Sequence, residues 1–402
     1  MLIISFLIVL IYFFMNLALV AIWLRKPSVI PNIQNSSKKS DIMNATVKFS
    51  VIIPVRNEAK NILFLLQDLD KQTFPKELFE VIIADDDSTD ETLNIVQKFQ
   101  KHTSINLIIN QLSAKINNFS PKKRAIDSSI KLAKGELITT TDGDCRVGGK
   151  WLETIANFQA TTGSYLISGA VTFGLDSAQS PLLGFYSFIH SLIRSFTHTA
   201  QIIEFASLVG SGACAMFIGK PNMCNGANLT YLKSVFHEVG GFTGNENLAS
   251  GDDEFLMHKV AAKYPKKVQF LKSQDVIVET QAHDSWRSFY NQRKRWASKW
   301  RHYDNWQTTA LAVFVFLANL ILPMACCCWL FDFISTQDLG LVILFKFSAE
   351  FVFLSLIVSF LRKKSLICLI PFVQIIYPLY VVFFGLAAQK QGEYIWKGRK
   401  LK

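Results

Sequence analysis

The side chains best suited to chemistry fall in short polar clusters at the ends of apolar runs. Asp142 and Asp144 in "TTTDGDC" are carboxylates two residues apart. At a strand end they can converge on one hard divalent cation, Mg2+ or Mn2+, which takes oxygen ligands from one or two carboxylates and from substrate phosphates. Such an ion acts as a Lewis acid on a departing diphosphate. A solvated Asx turn is the other reading of the same residues. Asp85 and Asp86 open "DDDSTDET". Helix capping by Ser88 or Thr89, with Asp90 and Glu91 in the first turn, accounts for part of this cluster. It leaves acids inside the strand end unexplained, and an Asp there can accept a hydrogen bond from a nucleobase imide or amide.

Three further clusters follow. "PKKRAIDSS" opens a helix with basic residues, against the helix dipole; a bound diphosphate would account for it, and so would a solvated basic face. "ASGDDEFLMHK" places Ser250 as an expected cap before Asp252, Asp253 and Glu254. These are either dipole-matched acids or the source of a general base that removes a proton from an attacking hydroxyl. In "FYNQRKRWASKW", Gln292, Arg295 and Trp296 stand at i, i+3 and i+4 and share a helical face. Arginine can brace a diphosphate and tryptophan can offer a platform to a sugar ring. The same stretch also reads as a basic amphipathic helix at a membrane surface, leaving Arg293, Lys294 and Lys299 for headgroups.

The elements that must position these clusters alternate. After a polar linker, Pro27 to Ala45, the β-branched run "VKFSVIIPVRNE" is followed by the helical spacing of "NILFLLQDLDKQ". "FEVIIADDDSTD", "ETLNIVQKFQKH", "INLIIN", "PKKRAIDSSIKLAKG" and "ELITTTDGD" repeat the pattern. Short, almost wholly apolar strands between helices specify an α/β fold with a parallel sheet covered on both faces. Ligands of such sheets sit at the carboxyl ends of the strands, where these clusters fall.

Half of the 402 residues are hydrophobic, and the formal net charge is +11. The basic residues flank apolar segments, as in Arg25-Lys26, "RKKS" and the final "WKGRKLK", a pattern suited to anionic headgroups; no nucleic-acid motif accompanies it. The seven cysteines show no zinc-ligand spacing and no disulfide framework, which suits a reducing compartment. Leu2 to Leu24 is uncharged and long enough to span about 30 Å of hydrocarbon. With Arg25 and Lys26 behind it, it reads as an uncleaved anchor that leaves the following domain in the cytoplasm. Thr308–Phe331, Leu339–Leu361 and Leu366–Ala388 are further candidate spans. "FDFISTQD" reads as external and "RKKS" as internal. A fourth crossing would put the basic tail outside, and Pro371 and Pro378 allow the last segment to be re-entrant or broken. Lys346 and Glu350, four residues apart, share a face and can pair.

"VIIPVRNE", "ADDDSTDET", "TDGD", "GDDEFL" and "QRKRW", in that order, resemble the processive and glycolipid-forming members of glycosyltransferase family 2, membrane-embedded relatives of the cellulose, hyaluronan, poly-N-acetylglucosamine and ceramide glucosyl synthases. The resemblance covers about Phe49 to His302. It implies a GT-A fold with a doubly wound, mostly parallel sheet flanked by transmembrane helices, a nucleotide-sugar donor, a divalent metal and inversion at the anomeric carbon. Asp85 and Asp86 would meet the nucleotide, Lys122 the phosphates, and Asp142 and Asp144 the metal, with Asp144 the more direct ligand and Asp142 also touching the donor. Asp253 matches the catalytic base. Gln292, Arg295 and Trp296 match the signature that holds diphosphate and acceptor, and "GANLTYLKSVFHEVGGF" resembles an acceptor-side segment. Pro121 and Asp87 stand where the family often has glycine, and Asp252 where glutamate is common.

The organisation expected is an anchor over 1–25, a cytoplasmic GT-A domain over 46–285, an interfacial segment over 286–307, a membrane region over 308–390 and a basic tail over 391–402. The expected activity is transfer of a hexose from a UDP- or GDP-sugar to a membrane lipid or glycan acceptor, in a bacterial inner membrane. A processive β-linked polysaccharide synthase and a non-catalytic membrane scaffold are the competing readings.

Overall fold

A computed structural model describes residues 2–29, 48–113, 119–174, 185–248, 250–283, 285–298, 306–387, 394–396 and 399–401. The chain divides into two compact units. One comprises Pro27–Gly174, Ala215–Gln281 and Ile395–Lys402; the other comprises Met1–Lys26, Leu175–Cys214 and Ala282–Tyr394.

The first unit is built on a seven-stranded sheet of order β3-β2-β1-β4-β7-β5-β8. β1 (Phe49–Val55), β2 (Phe79–Asp85) and β3 (Asn106–Gln111) run parallel, as do β1 and β4 (Leu137–Thr140). β7 (Leu229–Leu232) is antiparallel to both β4 and β5 (Leu166–Gly169), and β8 (Val268–Leu271) is parallel to β5. The sheet is therefore mostly parallel, with one reversed strand. Its central strands are apolar at almost every position because both faces are covered: in β1 and β2 alike, every residue but Pro54 is buried. Helices α1 (Leu2–Arg25), α2 (Ile62–Asp70), α3 (Thr92–Gln100), α4 (Pro121–Leu132) and α5 (Trp151–Thr162) follow in chain order, the last four each lying between strands of this sheet. The register sets Val55 beside Asp85, which brings the polar segments after β1 and β2 to one edge. Two helix starts differ from expectation. Helix α3 begins at Thr92, whose N–H donates to Asp90, because Asp90 and not Ser88 or Thr89 reaches the open amide. Helix α8 (Asp252–Lys263) is entered through left-handed Gly251 rather than capped by Ser250.

Among the polar groups inside this unit, Glu80 of β2 is fully buried and accepts hydrogen bonds from Ser50 Oγ at 2.6 Å and Lys134 N–H at 2.5 Å. These bonds draw the segment before β4 onto β1. A Cβ at Gly135 would lie 2.5 Å from both Phe49 C and Ser50 N.

Among the described residues five helices, all wholly or mostly in the second unit, are long and apolar enough to cross a membrane: Ile3–Arg25, Ser195–Phe217, Thr309–Leu330, Thr336–Phe360 and Lys364–Ala387. Four coincide with segments expected from sequence. The fifth belongs to α6 (Phe185–Phe217), which the sequence reading missed because His198, Gln201 and Glu204 interrupt its apolar run. After α7 (Lys233–Glu238), α8 and α9 (Trp286–Ser298) come α10 (Trp306–Leu330), α11 (Thr336–Phe360) and α12 (Ile370–Ala387). Helix α12 continues through Pro378, and Pro371 lies in its first turn, where a missing N–H costs nothing. Glu350 of α11 joins three elements: it accepts from Lys346 Nζ and Tyr12 OH at 3.1 Å and from Gln374 Nε2 at 3.3 Å. The expected Lys346–Glu350 pair thus faces other helices. At Gly210 of α6 a Cβ would meet Ile357 Cγ1 of α11 at 2.6 Å, so the small residue permits the close approach. The C-terminal tail contains two short paired strands, β10 (Tyr394–Trp396) and β11 (Arg399–Leu401). Lys299 and most of the polar linker lie outside the described residues.

Substituting Gly135→Ala sets a methyl against backbone that cannot withdraw. The expected loss is about 3 kcal/mol or more of stability, read as a lowered melting temperature of the purified protein.

Candidate active site

Three strand ends and two helix starts supply the polar groups. Asp85 ends β2, and its Oδ2 accepts the Ser88 N–H at 3.2 Å. Its Oδ1 is buried and has no hydrogen-bond partner among the described residues. The neighbouring Asp86 is committed internally: Arg124 Nη2 donates to its Oδ1 at 2.6 Å. Arg56 Nη1 reaches the carbonyls of Asp86 and Asp87 at 2.5 and 2.8 Å, fixing the turn after β2. Asp87 has φ +60°, a left-handed backbone that glycine adopts most readily. Aspartate tolerates it better than most side chains, and Asp87 also lies 3.7 Å from Arg56 Nη1.

Asp142 and Asp144 follow β4. The glycine between them is tightly packed, since a Cβ at Gly143 would press on Val55 Cγ1 and Glu58 Cγ at 3.0 Å. Thr280 Oγ1, from β9 (Val278–Thr280), donates to Asp144 Oδ2 at 3.0 Å. An isolated bridge between Arg146 and Glu279 holds that strand to the turn, and Asp68 clamps Arg146 at 2.6 and 2.8 Å. Burial, then the charge of Asp142, pushes Asp144 up to about 6.

Pro121 at the first position of α4 pre-sets the helical φ and puts three basic residues into the first turn. Lys122 Nζ lies 2.8 Å from Asp142 Oδ1 and 3.5 Å from Asp252 Oδ2. Burial opposes its charge, but Asp142, Asp252 and Asp253 outweigh that cost and hold its pKa above the usual lysine range. Lys123 is buried, donating to the Asn245 carbonyl at 2.5 Å and its side chain at 3.0 Å. The basic cluster is therefore not a solvated face.

Asp253, on the first turn of α8, accepts the Gly226 N–H on Oδ2 and the Glu254 N–H on Oδ1, both at 2.8 Å. Gly226 sits close to this acid, and a Cβ there would press on Asp252 Oδ2 at 3.2 Å. The structure thus brings Lys122, Asp142, Asp252 and Asp253 together, with Asp144 beside Asp142. Among the described residues no three His, Cys, Asp or Glu side chains form a metal-binding group.

Gln292, Arg295 and Trp296 lie on α9, in the other unit. Gln292 Oε1 accepts from Arg293 at 2.7 Å, and the Trp296 ring lies 4.4 Å from the Arg293 guanidinium. Arg293 is therefore not a headgroup contact, contrary to expectation: it is buried and ion-paired with Glu204. Sequence reasoning also missed the roles of Thr280, Gly226 and Arg124. Arg124 had a signal as the third basic residue of its cluster, and Gly226 as the first residue of the quoted "GANLTYLKSVFHEVGGF"; Thr280 had none.

The Glycosyl transferase family 2 model matches residues 50–224, and the Glycosyl transferase family 21 model matches 190–402, which is more than half of the chain. The chain belongs to the glycosyltransferases of families 2 and 21. This glycosyltransferase is 41% identical over 112 residues to the poly(ribitol-phosphate) beta-N-acetylglucosaminyltransferase TarS of Staphylococcus aureus, a match covering 28% of this chain and 19% of TarS. It is 27% identical over 224 residues to the glycosyltransferase AglE of Haloferax volcanii, covering 55% of this chain and 64% of AglE. The chain thus spans about a fifth of the first relative and under two thirds of the second. The mannosyltransferase PcManGT of Pyrobaculum calidifontis, solved with GDP-Man and Mn2+, superposes with a TM-score of 0.53 at 16% identity, over 94% of this chain and 96% of that one. The glycosyltransferase therefore shares its GT-A fold.

The raised pKa of Asp144 fixes the sign of a pH effect. With a folded value of about 6 and an ordinary value of 3.8, the folded state keeps a proton that the unfolded chain has lost. Metal-free stability therefore falls as pH rises from about 4 through about 6. Asp144→Asn is expected to raise the melting temperature in chelator at pH 7.5 and to leave it unchanged near pH 4.

Proposed function

We propose that the protein transfers a hexose from a nucleotide-diphosphate sugar to a membrane lipid or lipid-linked acceptor, with inversion at the anomeric carbon. The observation that carries this reading is the position of Lys122, 2.8 Å from Asp142 and 3.5 Å from Asp252. It joins the phosphate-binding helix, the D-x-D turn and the helix bearing Asp253 at one point. In this reading the unpartnered Asp85 Oδ1 accepts a hydrogen bond from the nucleobase, and Lys122 turns its charge to the diphosphate. Asp253 takes the proton of the acceptor hydroxyl as that oxygen attacks the anomeric carbon and the bond to the diphosphate breaks.

Asp142 and Asp144 fit a hard divalent cation. Their donors are all oxygen, and burial, then the charge of Asp142, holds Asp144 up at about 6, a cost that a bound cation would relieve. Mg2+ or Mn2+ held there would neutralise charge growing on the leaving diphosphate. PcManGT, solved with Mn2+ and GDP-Man, supports a metal in this fold. Two protein carboxylates would leave the remaining positions to water and donor phosphates.

A membrane acceptor is supported by the five long apolar helices, and a cytoplasmic α/β unit by Arg25 and Lys26 behind the first of them. Extension of a β-linked polysaccharide is the second reading, favoured by the complete set of Gln292, Arg295 and Trp296 on α9.

Incubating the membrane-reconstituted protein with labelled nucleotide sugars and Mn2+ tests the proposal. A monoglycosyl lipid in the organic phase is expected, and high polymer would favour the second reading. Asp253→Asn is expected to lower transfer by about 10^2- to 10^4-fold while nucleotide-sugar binding persists. Undiminished transfer by that variant would sink the mechanism, and no transfer with any donor would favour a non-catalytic scaffold.

A further inference from the structure

The buried basic residue of "QRKRW" stands at a position that the Q-x-x-R-W pattern leaves open. Arg293 is 4% exposed and makes hydrogen bonds in three directions. Its Nη2 donates to Glu204 Oε2 of α6, its Nε to Tyr380 OH of α12 at 2.9 Å, and its Nη1 to Gln292 Oε1 at 2.7 Å. Tyr380 OH donates to the other oxygen of Glu204 at 3.2 Å, so the acid is held from two sides. The guanidinium carbon also lies 4.4 Å from the Trp296 ring centre and 4.6 Å from that of Phe289. Phe205 packs 5.9 Å from Trp296.

A buried charge persists only when paired and hydrogen-bonded, and Glu204 with Tyr380 provides this. The consequence for the neighbours is specific. An arginine donates and never accepts, so the Gln292 side chain must present its carbonyl oxygen to Arg293. Its NH2 group is then left as the donor for a ligand, the polarity that a diphosphate or a sugar oxygen requires. Trp296 has the Arg293 guanidinium over its ring, which fixes the plane of the indole. Arginine supplies both effects because it is planar and forked; lysine matches its charge but neither its plane nor its directions.

We propose that Arg293 is a positioning residue, anchored by Glu204 and Tyr380, which sets Gln292 as a donor and orients Trp296 for substrate. This rests on what the family resemblance implies, that the Q-x-x-R-W residues Gln292 and Trp296 hold substrate.

The test measures nucleoside diphosphate release by the full chain in lipid nanodiscs, with Mn2+ and UDP-glucose, UDP-N-acetylglucosamine or GDP-mannose, whichever the wild type turns over. Arg293→Lys keeps the counter-charge for Glu204. It is expected to melt close to the wild type, to keep the donor KM, and to lose about tenfold to a hundredfold in kcat. Tyr380→Phe, which removes one hydroxyl from the anchor, is expected to lower kcat about fivefold. Gln292→Ala and Trp296→Ala are measured in parallel. Full turnover by both would overturn the underlying reading of the motif. Full turnover by Arg293→Lys with those two impaired would overturn the positioning role alone. A loss in Arg293→Lys that follows a lowered melting temperature, with Tyr380→Phe fully active, would also overturn it, since the residue would then be structural only.

Discussion

Carboxylates gathered at the carboxyl ends of parallel strands repel one another, and the α/β unit is arranged around the ammonium that offsets this repulsion. Lys122 stands between Asp142 and Asp252, with Asp253 near enough to add to the field. Its position at a helix start opposes the helix dipole and would be unfavourable alone. The acids supply the missing stabilisation. Their excess is still visible in Asp144, whose carboxyl is held up at about 6 by burial and by Asp142.

The same helix ties the surrounding elements together. Three consecutive basic residues leave its first turn in different directions: Lys122 to the turn after β4 and the start of α8, Lys123 to Asn245, Arg124 to Asp86 at the end of β2. Ser120 N–H adds a bond to the Glu246 carbonyl at 2.7 Å. The segment leading into Asp252 and Asp253 is thereby held to the helix that carries Lys122. Close packing completes the arrangement: a methyl at Gly143 or Gly226 would press on the side chains of Val55, Glu58 and Asp252. The left-handed turn at Asp87 shows the reverse solution, a side chain tolerated where glycine is usual and steadied by Arg56.

In the helical unit, charge is also managed by pairing. Glu350 gathers Lys346, Tyr12 and Gln374 from three helices, and Glu204 gathers Arg293 and Tyr380 from two. Each acid would be costly in an apolar bundle alone, and each instead ties elements distant in sequence. Glu204 is also one reason α6 escaped notice in the sequence. A span with an acid at its centre reads as soluble until the partner that neutralises it is known.

The order of elements from β1 to β4, the mostly parallel sheet and the strand-end placement of Asp85, Asp142 and Asp144 were legible in the sequence; the later strands, including the reversed β7, were not. They depend on local periodicity, on β-branched runs that end in turn residues, and on a rule of sheet topology that holds whatever the side chains. Lys346 and Glu350 were legible for the same reason, being one helical turn apart. The sequence did not reveal that Asp86 is consumed by Arg124 while Asp85 keeps an open oxygen, since both are acids at the same strand end. Nor did it reveal that Thr280 supports Asp144 across 136 residues, or that Arg293 points inward while its neighbours do not. These depend on which distant group lies opposite each side chain. A residue's chemistry and spacing are fixed by the chain, but its partner, and therefore its charge and its freedom to meet a ligand, is fixed only when the chain packs.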